Sequence, residues 1–163
     1  MSTKEKIELQ EKHDLNICLQ LFNILFQNID WEIPINNRAD VYITATTRSN
    51  KVGIYAVEIK QRNCRLLDFD DTIIQADKYD YLMSLTSSYT PLYFVIFNDC
   101  IAVYNLAKIG DKRLSKRLQL MNKITYQSND KDYKEVYGLT PKMGKIFIYK
   151  KRYANDKQTT KEA

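Results

Sequence analysis

The sequence predicts an α/β protein in which a central mixed β-sheet is flanked by helices, in the order α-β-β-β-α-β-β with a short C-terminal addition. Apolar residues recur at three- and four-residue steps near the N-terminus, as in an amphipathic helix. Further along, two apolar runs flank a polar turn, and a second helical segment separates them from two more β-rich runs. The chain has 163 residues, and residues 1–150 are expected to form one domain.

The first helix is predicted over residues 3–27. One buried stripe is formed by Ile7, Leu15, Cys18, Phe22, Leu25 and Ile29. Glu11 falls on this stripe between Ile7 and Leu15. A carboxylate at such a position indicates either that the helix leaves the core there or that the side chain points towards a polar site.

A hairpin is predicted for residues 39–46 and 53–61, after a short strand at residues 31–35 that ends at Pro34 and an Asn-Asn turn. A turn centred near Ser49 would place Asp40 across from Glu58. Lys60 lies on the same face of its strand as Glu58, about 6.6 Å along it. Two carboxylates and an amine are therefore expected at one end of a small sheet.

A second helix is predicted over residues 71–85, capped by Asp70 or Asp71. Gln75 and Tyr79 are four residues apart and would share a face of it. Two core strands, residues 91–97 and 100–106, should follow, joined by a two-residue turn at Asn98.

The C-terminal third carries a weaker signal. Residues 108–123 are basic around three leucines and are predicted to contain a short helix, and residues 145–150 alternate as in a strand. The polar residues 151–163 are expected to be a disordered tail.

The clustered side chains suggest chemistry on a phosphodiester. Oxygen ligands suit Mg²⁺, for which Mn²⁺ can substitute, and the expected ligands are Asp40, Glu58 and the backbone carbonyl of Ile59. Lys60 would orient or help to deprotonate the attacking water, or act only through its charge.

Asp40, Glu58-x-Lys60 and Gln75-x-x-x-Tyr79, in this element order, resemble the PD-(D/E)XK nuclease superfamily, closest to the branch with a Gln-x-x-x-Tyr motif. The resemblance covers roughly residues 5–106 and implies a restriction-endonuclease-like core and metal-dependent hydrolysis of DNA. It implies that Gln75 and Tyr79 lie beside the metal. It also implies an additional ligand from the first helix, with Glu11 the best match and Glu8 the fallback.

Two departures from the family accompany this resemblance. Ala39 stands where the family often has a proline, which has no chemical role. The cysteines that hold an iron–sulfur cluster in some members are absent, so no cluster is expected.

Composition permits a polyanionic partner, because the formal net charge is +5. The candidate phosphate contacts are Lys78, Lys112, Arg113, Lys116 and Arg117. The last four belong to a basic segment of a kind that is more often a solvated helix face than a track of phosphate contacts. DNA is the expected substrate, and it could be single-stranded or branched. Whether the protein cuts at ends or internally, and whether it acts on RNA instead, is left open. A homodimer formed through residues 126–137 is also left open. A catalytically inactive nucleic-acid-binding or assembly subunit is the alternative.

Other classes are disfavoured. Cys18, Cys64, Cys100 and His13 lack the spacing of zinc ligands, so no zinc is expected. Neither a signal peptide nor an apolar run of about 20 residues is visible. The expectation is therefore a cytoplasmic protein with reduced thiols and no membrane partner.

Overall fold

The structure, a computed structural model, describes residues 2–35, 38–122 and 130–149. Its helices are α1 (Thr3–Leu25), α2 (Ala76–Ser84) and α3 (Leu106–Ile109). Its strands are β1 (Asn28–Glu32), β2 (Val41–Thr46), β3 (Val52–Gln61), β4 (Thr72–Gln75), β5 (Thr90–Ile96), β6 (Cys100–Asn105), β7 (Ser115–Asn122), β8 (Lys131–Leu139) and β9 (Lys145–Ile148). The predicted tail and part of the predicted dimer segment lie outside the described residues.

The central sheet has six strands in the order β1-β2-β3-β5-β6-β9. Strands β3 and β5 are parallel, and the other neighbours are antiparallel. The parallel pair requires a crossover connection, and this connection contains α2. The predicted α/β class with a mixed central sheet is confirmed.

Helix α1 covers one face of this sheet. Ser2 caps it, accepting from the Glu5 N–H while the Glu5 carboxylate accepts from the Ser2 N–H. Of the predicted stripe, Cys18 and Phe22 are confirmed as buried against the sheet, together with Leu21, which was not predicted. The predicted members Leu25, which is 40% exposed, and Ile29, which belongs to β1, do not continue the stripe. The opposite face packs against α2 through Ala56, Tyr93 and Val95, among others. Alternate residues of β3 thus point into two different cores.

The predicted hairpin register is confirmed. Val41 pairs with Val57 and Thr46 with Val52. The turn between the strands places Asn50 in the left-handed region, with φ of 60°. Asn tolerates this conformation better than most residues. The N–H of Asp40 donates to the carbonyl of Val57 over 3.0 Å, so the pairing continues one residue beyond β2.

Two predicted boundaries are wrong. The first strand covers Asn28–Glu32, not residues 31–35, because these five residues pair with residues 42–46 of β2. The second helix begins at Ala76, not at residue 71. The residues predicted as its first turn form the strand β4, which pairs with β8. The helix is capped by neither Asp70 nor Asp71. Helix periodicity in the sequence cannot distinguish a first helical turn from four residues that pairing with a distant strand holds extended.

The basic segment is not a helix beyond two short turns. Leu106–Ile109 forms one helical turn, Asp111–Arg113 forms a 3₁₀ turn, and residues 115–122 form β7. Strand β8, which the sequence did not predict, pairs with β7 along its whole length. With β4 they make a second sheet in the order β4-β8-β7. Leu118 and Leu120 of β7 are exposed, so the helix-like spacing of the leucines in this segment did not indicate a buried helix face.

An ion pair joins this second sheet to the loop before β4. Arg117 donates to both carboxylate oxygens of Asp71, over 2.6 and 2.8 Å. The pair lies over Gly138, where an added Cβ would collide with the Asp71 carboxylate. Glycine at this position therefore allows the close approach.

The three cysteines are free, and two of them, Cys18 and Cys100, are buried. In the part of the chain that the structure describes, no helix combines the length and the apolar character that a bilayer span requires.

The hairpin turn provides the first prediction. Asn50→Val should lower the free energy of unfolding by about 1–2 kcal/mol, because a β-branched residue is strained at positive φ. Asn50→Gly should be close to neutral, and Arg48→Ala, on the exposed turn, is the control. Urea denaturation measures all three, and an Asn50→Val protein as stable as the parent would contradict the assigned turn geometry.

Candidate functional site

A cleft of about 1000 Å³ lies between the N-terminal half of α1 and the end of β3. Its walls include most of the polar residues at this end of the sheet: Gln10, Glu11, Asp14, Asp40, Glu58, Lys60 and Gln61. The predicted pair of carboxylates and the lysine are therefore brought together in one cleft.

The position of the Asp40 carboxylate is set by the start of β2, which Asp40 immediately precedes. Because β2 pairs with β3 only as far as Val57, the Ile59 N–H projects past this end of β2. The Asp40 carboxylate accepts a hydrogen bond from that N–H over 2.6 Å. Desolvation raises the pKa of Asp40, and this hydrogen bond opposes the shift. The backbone of β3 at Ile59 thus holds the Asp40 carboxylate in the cleft.

Glu58 is the most perturbed acid of the cleft. Its side chain is only 13% exposed, and it accepts a 2.8 Å ion-paired hydrogen bond from the Lys78 ammonium. Lys78 also donates to the backbone carbonyl of Arg38 over 2.9 Å. Burial, followed by the charge of Asp40, raises the pKa of Glu58 to about 7, and Lys78 only partly opposes this. Lys78 therefore belongs to the site, as the partner of a buried acid.

Lys60 lies two residues after Glu58 on the same strand, and its side chain lines the same cleft. Burial and the charge of Arg62 lower its pKa, while Glu58 and Asp40 act in the opposite direction. Its cation is therefore easier to deprotonate than that of an ordinary lysine. This is the direction required of a group that exchanges a proton near neutral pH.

Asp14 is a site residue that the sequence analysis missed. Burial raises the pKa of its carboxyl, while a 2.7 Å hydrogen bond from the Gln10 amide and the charge of Lys60 oppose the shift. The charge of Asp14 in turn raises the pKa of Asp40. A signal was present, because Asp14 lies four residues before buried Cys18 and shares its stripe.

Glu11, the predicted helix ligand, lines the same cleft from an exposed position, and so does the fallback Glu8. Over residues 2–35, 38–122 and 130–149, no group of three or more His, Cys, Asp or Glu side chains is arranged to hold a metal ion. The predicted ligands Asp40, Glu58 and Ile59 all line this cleft.

Gln75 and Tyr79 are not brought to this cleft. Gln75 ends β4, where it pairs with Val136 of β8, so the two residues do not share a helix face. Tyr79 is 1% exposed, and its hydroxyl donates to the Asp111 carboxylate over 2.6 Å. Its ring packs 4.6 Å from that of Tyr137. These contacts connect α2 with the second sheet and support a structural role.

The other basic residues singled out in the sequence are dispersed. Lys116 pairs with Glu135 over 2.9 Å, and Arg117 pairs with Asp71. Lys112 is exposed in the turn before β7, and Arg113 lines a different cavity at the far end of α1. They do not extend the cleft as one basic surface.

Comparisons with protein-family models, with curated proteins and with solved structures found no match to this chain. The site is therefore interpreted from its own geometry.

The raised pKa of Glu58 predicts a pH dependence. Between its ordinary value of 4.5 and about 7, the folded state binds more protons than the unfolded state, so stability falls as pH rises. Over this interval the free energy of unfolding of Glu58→Gln minus that of the parent should rise by about 3 kcal/mol. Urea titrations at pH 4.5, 6 and 8 without divalent metal measure it, and a difference that is constant with pH would contradict the buried environment of Glu58.

The contacts of Tyr79 lead to a separate prediction. Tyr79→Phe should lower the free energy of unfolding by about 1 kcal/mol, because the hydrogen bond to Asp111 is lost while the ring still packs. Tyr133→Phe, at a position that is 67% exposed, is the matched control. Thermal denaturation measures both variants. A destabilisation no larger than that of the control would argue against a structural role for the hydroxyl.

Proposed function

We propose that this protein is a metal-dependent nuclease that hydrolyses DNA phosphodiester bonds. The observation that carries the proposal is the convergence of Asp40 and Glu58, at the paired ends of β2 and β3, on one cleft with Lys60. Desolvation disfavours the charged form of all three groups. Perturbed titratable groups of both signs, gathered in a cleft, are typical of catalytic sites.

Magnesium fits the donor set. Asp40 and Glu58 are hard oxygen ligands whose charges repel one another, and Glu58 is largely removed from solvent, so a divalent cation would relieve both costs. Asp40 and Glu58 would hold the ion, with the Ile59 carbonyl and water as further ligands, and Mn²⁺ could substitute. When bound, the metal supplies a Lewis acid that polarises the phosphate and lowers the pKa of a bound water.

The protein's own groups would position the reactants. The backbone N–H of Ile59 holds Asp40 in one orientation, so little reorganisation is required on binding. Lys60 would donate a hydrogen bond to the attacking water or to the phosphate, and its lowered pKa suits transfer of a proton. Lys78, which now neutralises Glu58, would exchange this partner for a phosphate oxygen of the substrate.

The fold supports membership of the PD-(D/E)XK superfamily. Helix α1, the meander β1-β2-β3, the crossover through α2 and the parallel pairing of β5 with β3 follow the order expected of a restriction-endonuclease-like core. The sites of Gln75 and Tyr79 depart from the expected motif, so the Gln-x-x-x-Tyr branch is less well supported than the superfamily. The second sheet is an addition to this core.

A non-catalytic nucleic-acid-binding or assembly subunit is the second candidate, and the Lys78–Glu58 ion pair favours it. An ammonium 2.8 Å from Glu58 already supplies a positive charge where a metal would bind. Such a pair could maintain the fold without chemistry. Cleavage of RNA by the same site is a variant of the first candidate.

The deciding assay incubates the purified chain with end-labelled single-stranded, duplex, circular and branched DNA and matching RNA, in Mg²⁺, Mn²⁺ or EDTA. Asp40→Asn and Lys60→Ala should each reduce metal-dependent cleavage by at least about 100-fold, because each removes a group that acts on the reacting phosphate. Asp77→Asn, on an exposed turn of α2, is the matched control and should cleave as the parent does.

The outcomes separate the candidates. Cleavage lost in both site variants supports the nuclease, and the preferred substrate separates end-processing from internal cutting and DNA from RNA. Binding that weakens steeply with salt, without cleavage in any metal, supports the non-catalytic subunit. Cleavage by Lys60→Ala at the parent's rate would overturn the assignment of the site.

A further inference from the structure

A second cavity, of about 650 Å³, lies at the other end of α1. It is enclosed by the last two turns of α1, the α1-facing side of the sheet and the 3₁₀ turn Pro141–Met143. The carboxylate cleft uses α1 only as far as Leu15, whereas this cavity begins at Leu21, about 9 Å further along the helix axis. The two are separate sites.

The floor of the cavity is apolar. It is formed by aromatic and aliphatic side chains, among them Phe22, Phe26, Leu92, Phe94, Val103 and Phe147. Phe22 stacks on Phe26 with 5.4 Å between ring centroids, and Tyr55 packs edge-on against Phe22 at 5.5 Å. The uncharged polar groups among the lining side chains are the amide of Asn105 and the hydroxyls of Thr140 and Tyr55. Such a floor suits a hydrocarbon or aryl body far better than a hydrogen-bonding nucleobase.

Four cations surround this floor: Lys108, Arg113, Lys142 and Lys145. No Asp or Glu lies among the lining residues, and within the described ranges none of the four has a carboxylate within 4 Å. The Lys145 ammonium lies 5.4 Å from the centroid of the Phe147 ring, so charge and apolar surface adjoin directly. Like charges grouped without counter-charges favour an anionic ligand.

We propose that this cavity binds a small amphipathic organic anion, with an acyl or aryl body on the apolar floor and a carboxylate held by the surrounding cations. The volume lies within the range of small-molecule sites. Burial of the body would supply most of the affinity, and charge-assisted hydrogen bonds from Lys142 or Lys145 would select the head group. The chain's own residues after Tyr149 do not complement this charge, because they include five Lys or Arg and only two acids, Asp156 and Glu162.

The test uses dodecanoate as the probe, below its micelle concentration, with binding to the full chain measured by isothermal titration calorimetry. Dodecyl phosphate, dodecanol and dodecyltrimethylammonium share the body and vary the head. Dodecanoate should bind at least about tenfold more tightly than the alcohol and the cation, because only an anion is attracted by the four cations that surround the floor. Equal binding of dodecanoate and the trimethylammonium compound would overturn the proposal, since only apolar surface would then be recognised. Preference for the phosphate over the carboxylate would overturn the choice of head group.

Two pairs of variants locate the site. Leu25→Trp, at a half-exposed lining position, should fill the cavity and weaken dodecanoate at least about tenfold, while Ile24→Trp, on the neighbouring exposed position, should not. Lys142→Glu with Lys145→Glu should weaken it similarly, whereas Arg48→Glu with Lys51→Glu makes the same charge change on the remote hairpin turn. Binding that survives both cavity variants would place the ligand elsewhere. DNA cleavage is not part of this readout, so the result is independent of the nuclease proposal.

Discussion

The pairing of β2 with β3 is the constraint on which the candidate site depends. Because Val41 lies opposite Val57, the first unpaired N–H beyond β2 belongs to Ile59, and the side chain able to reach it belongs to Asp40. A slip of one residue would turn Glu58 and Lys60 towards α1, where Val57 and Ile59 now pack. The turn at Asn50 and the apolar face that α1 covers both oppose such a slip. The fold of the hairpin and the chemistry of the cleft are thus one property of the chain.

The cleft is an electrostatically costly arrangement, and that cost supports a functional interpretation. A core built only for stability would gain by replacing Glu58 and Lys78 with apolar residues of similar size, since a partly buried pair seldom recovers its desolvation. Here two acids and Lys60 share the end of one sheet, while Lys78 approaches from α2 and a third acid, Asp14, from α1. Lys78 supplies a cation beside Glu58 within the chain, and in the nuclease proposal a metal ion would take its place.

The second sheet and the cavity at the far end of α1 lie away from the carboxylate cleft, although β4 of that sheet ends at the motif residue Gln75. Strands β4, β8 and β7 extend the core beside α2, and Tyr79 of α2 connects the two parts through its ring contact with Tyr137 of β8. Of the residues that resemble substrate contacts in the sequence, Tyr79 makes this connection. Lys116 and Arg117 instead form ion pairs with Glu135 and Asp71, within the second sheet and the loop before β4. The four cations at the far cavity have no such partners among the described residues. Basic residues of this chain therefore serve three different purposes according to what surrounds them.

The sequence by itself determined the α/β class, the first helix, the hairpin register and the grouping of Asp40, Glu58 and Lys60, because helix periodicity, strand alternation and turn chemistry are local properties. It did not determine that residues 72–75 are a strand, that a basic run is β7, or that β8 exists, since those segments are held by pairing over long separations. The sequence also could not show that Asp14, and not Glu11, is the perturbed acid that α1 contributes to the cleft, or that Tyr79 lies away from the cleft. Those outcomes depend on the direction in which α1 and α2 cross the sheet, and only tertiary packing decides that direction.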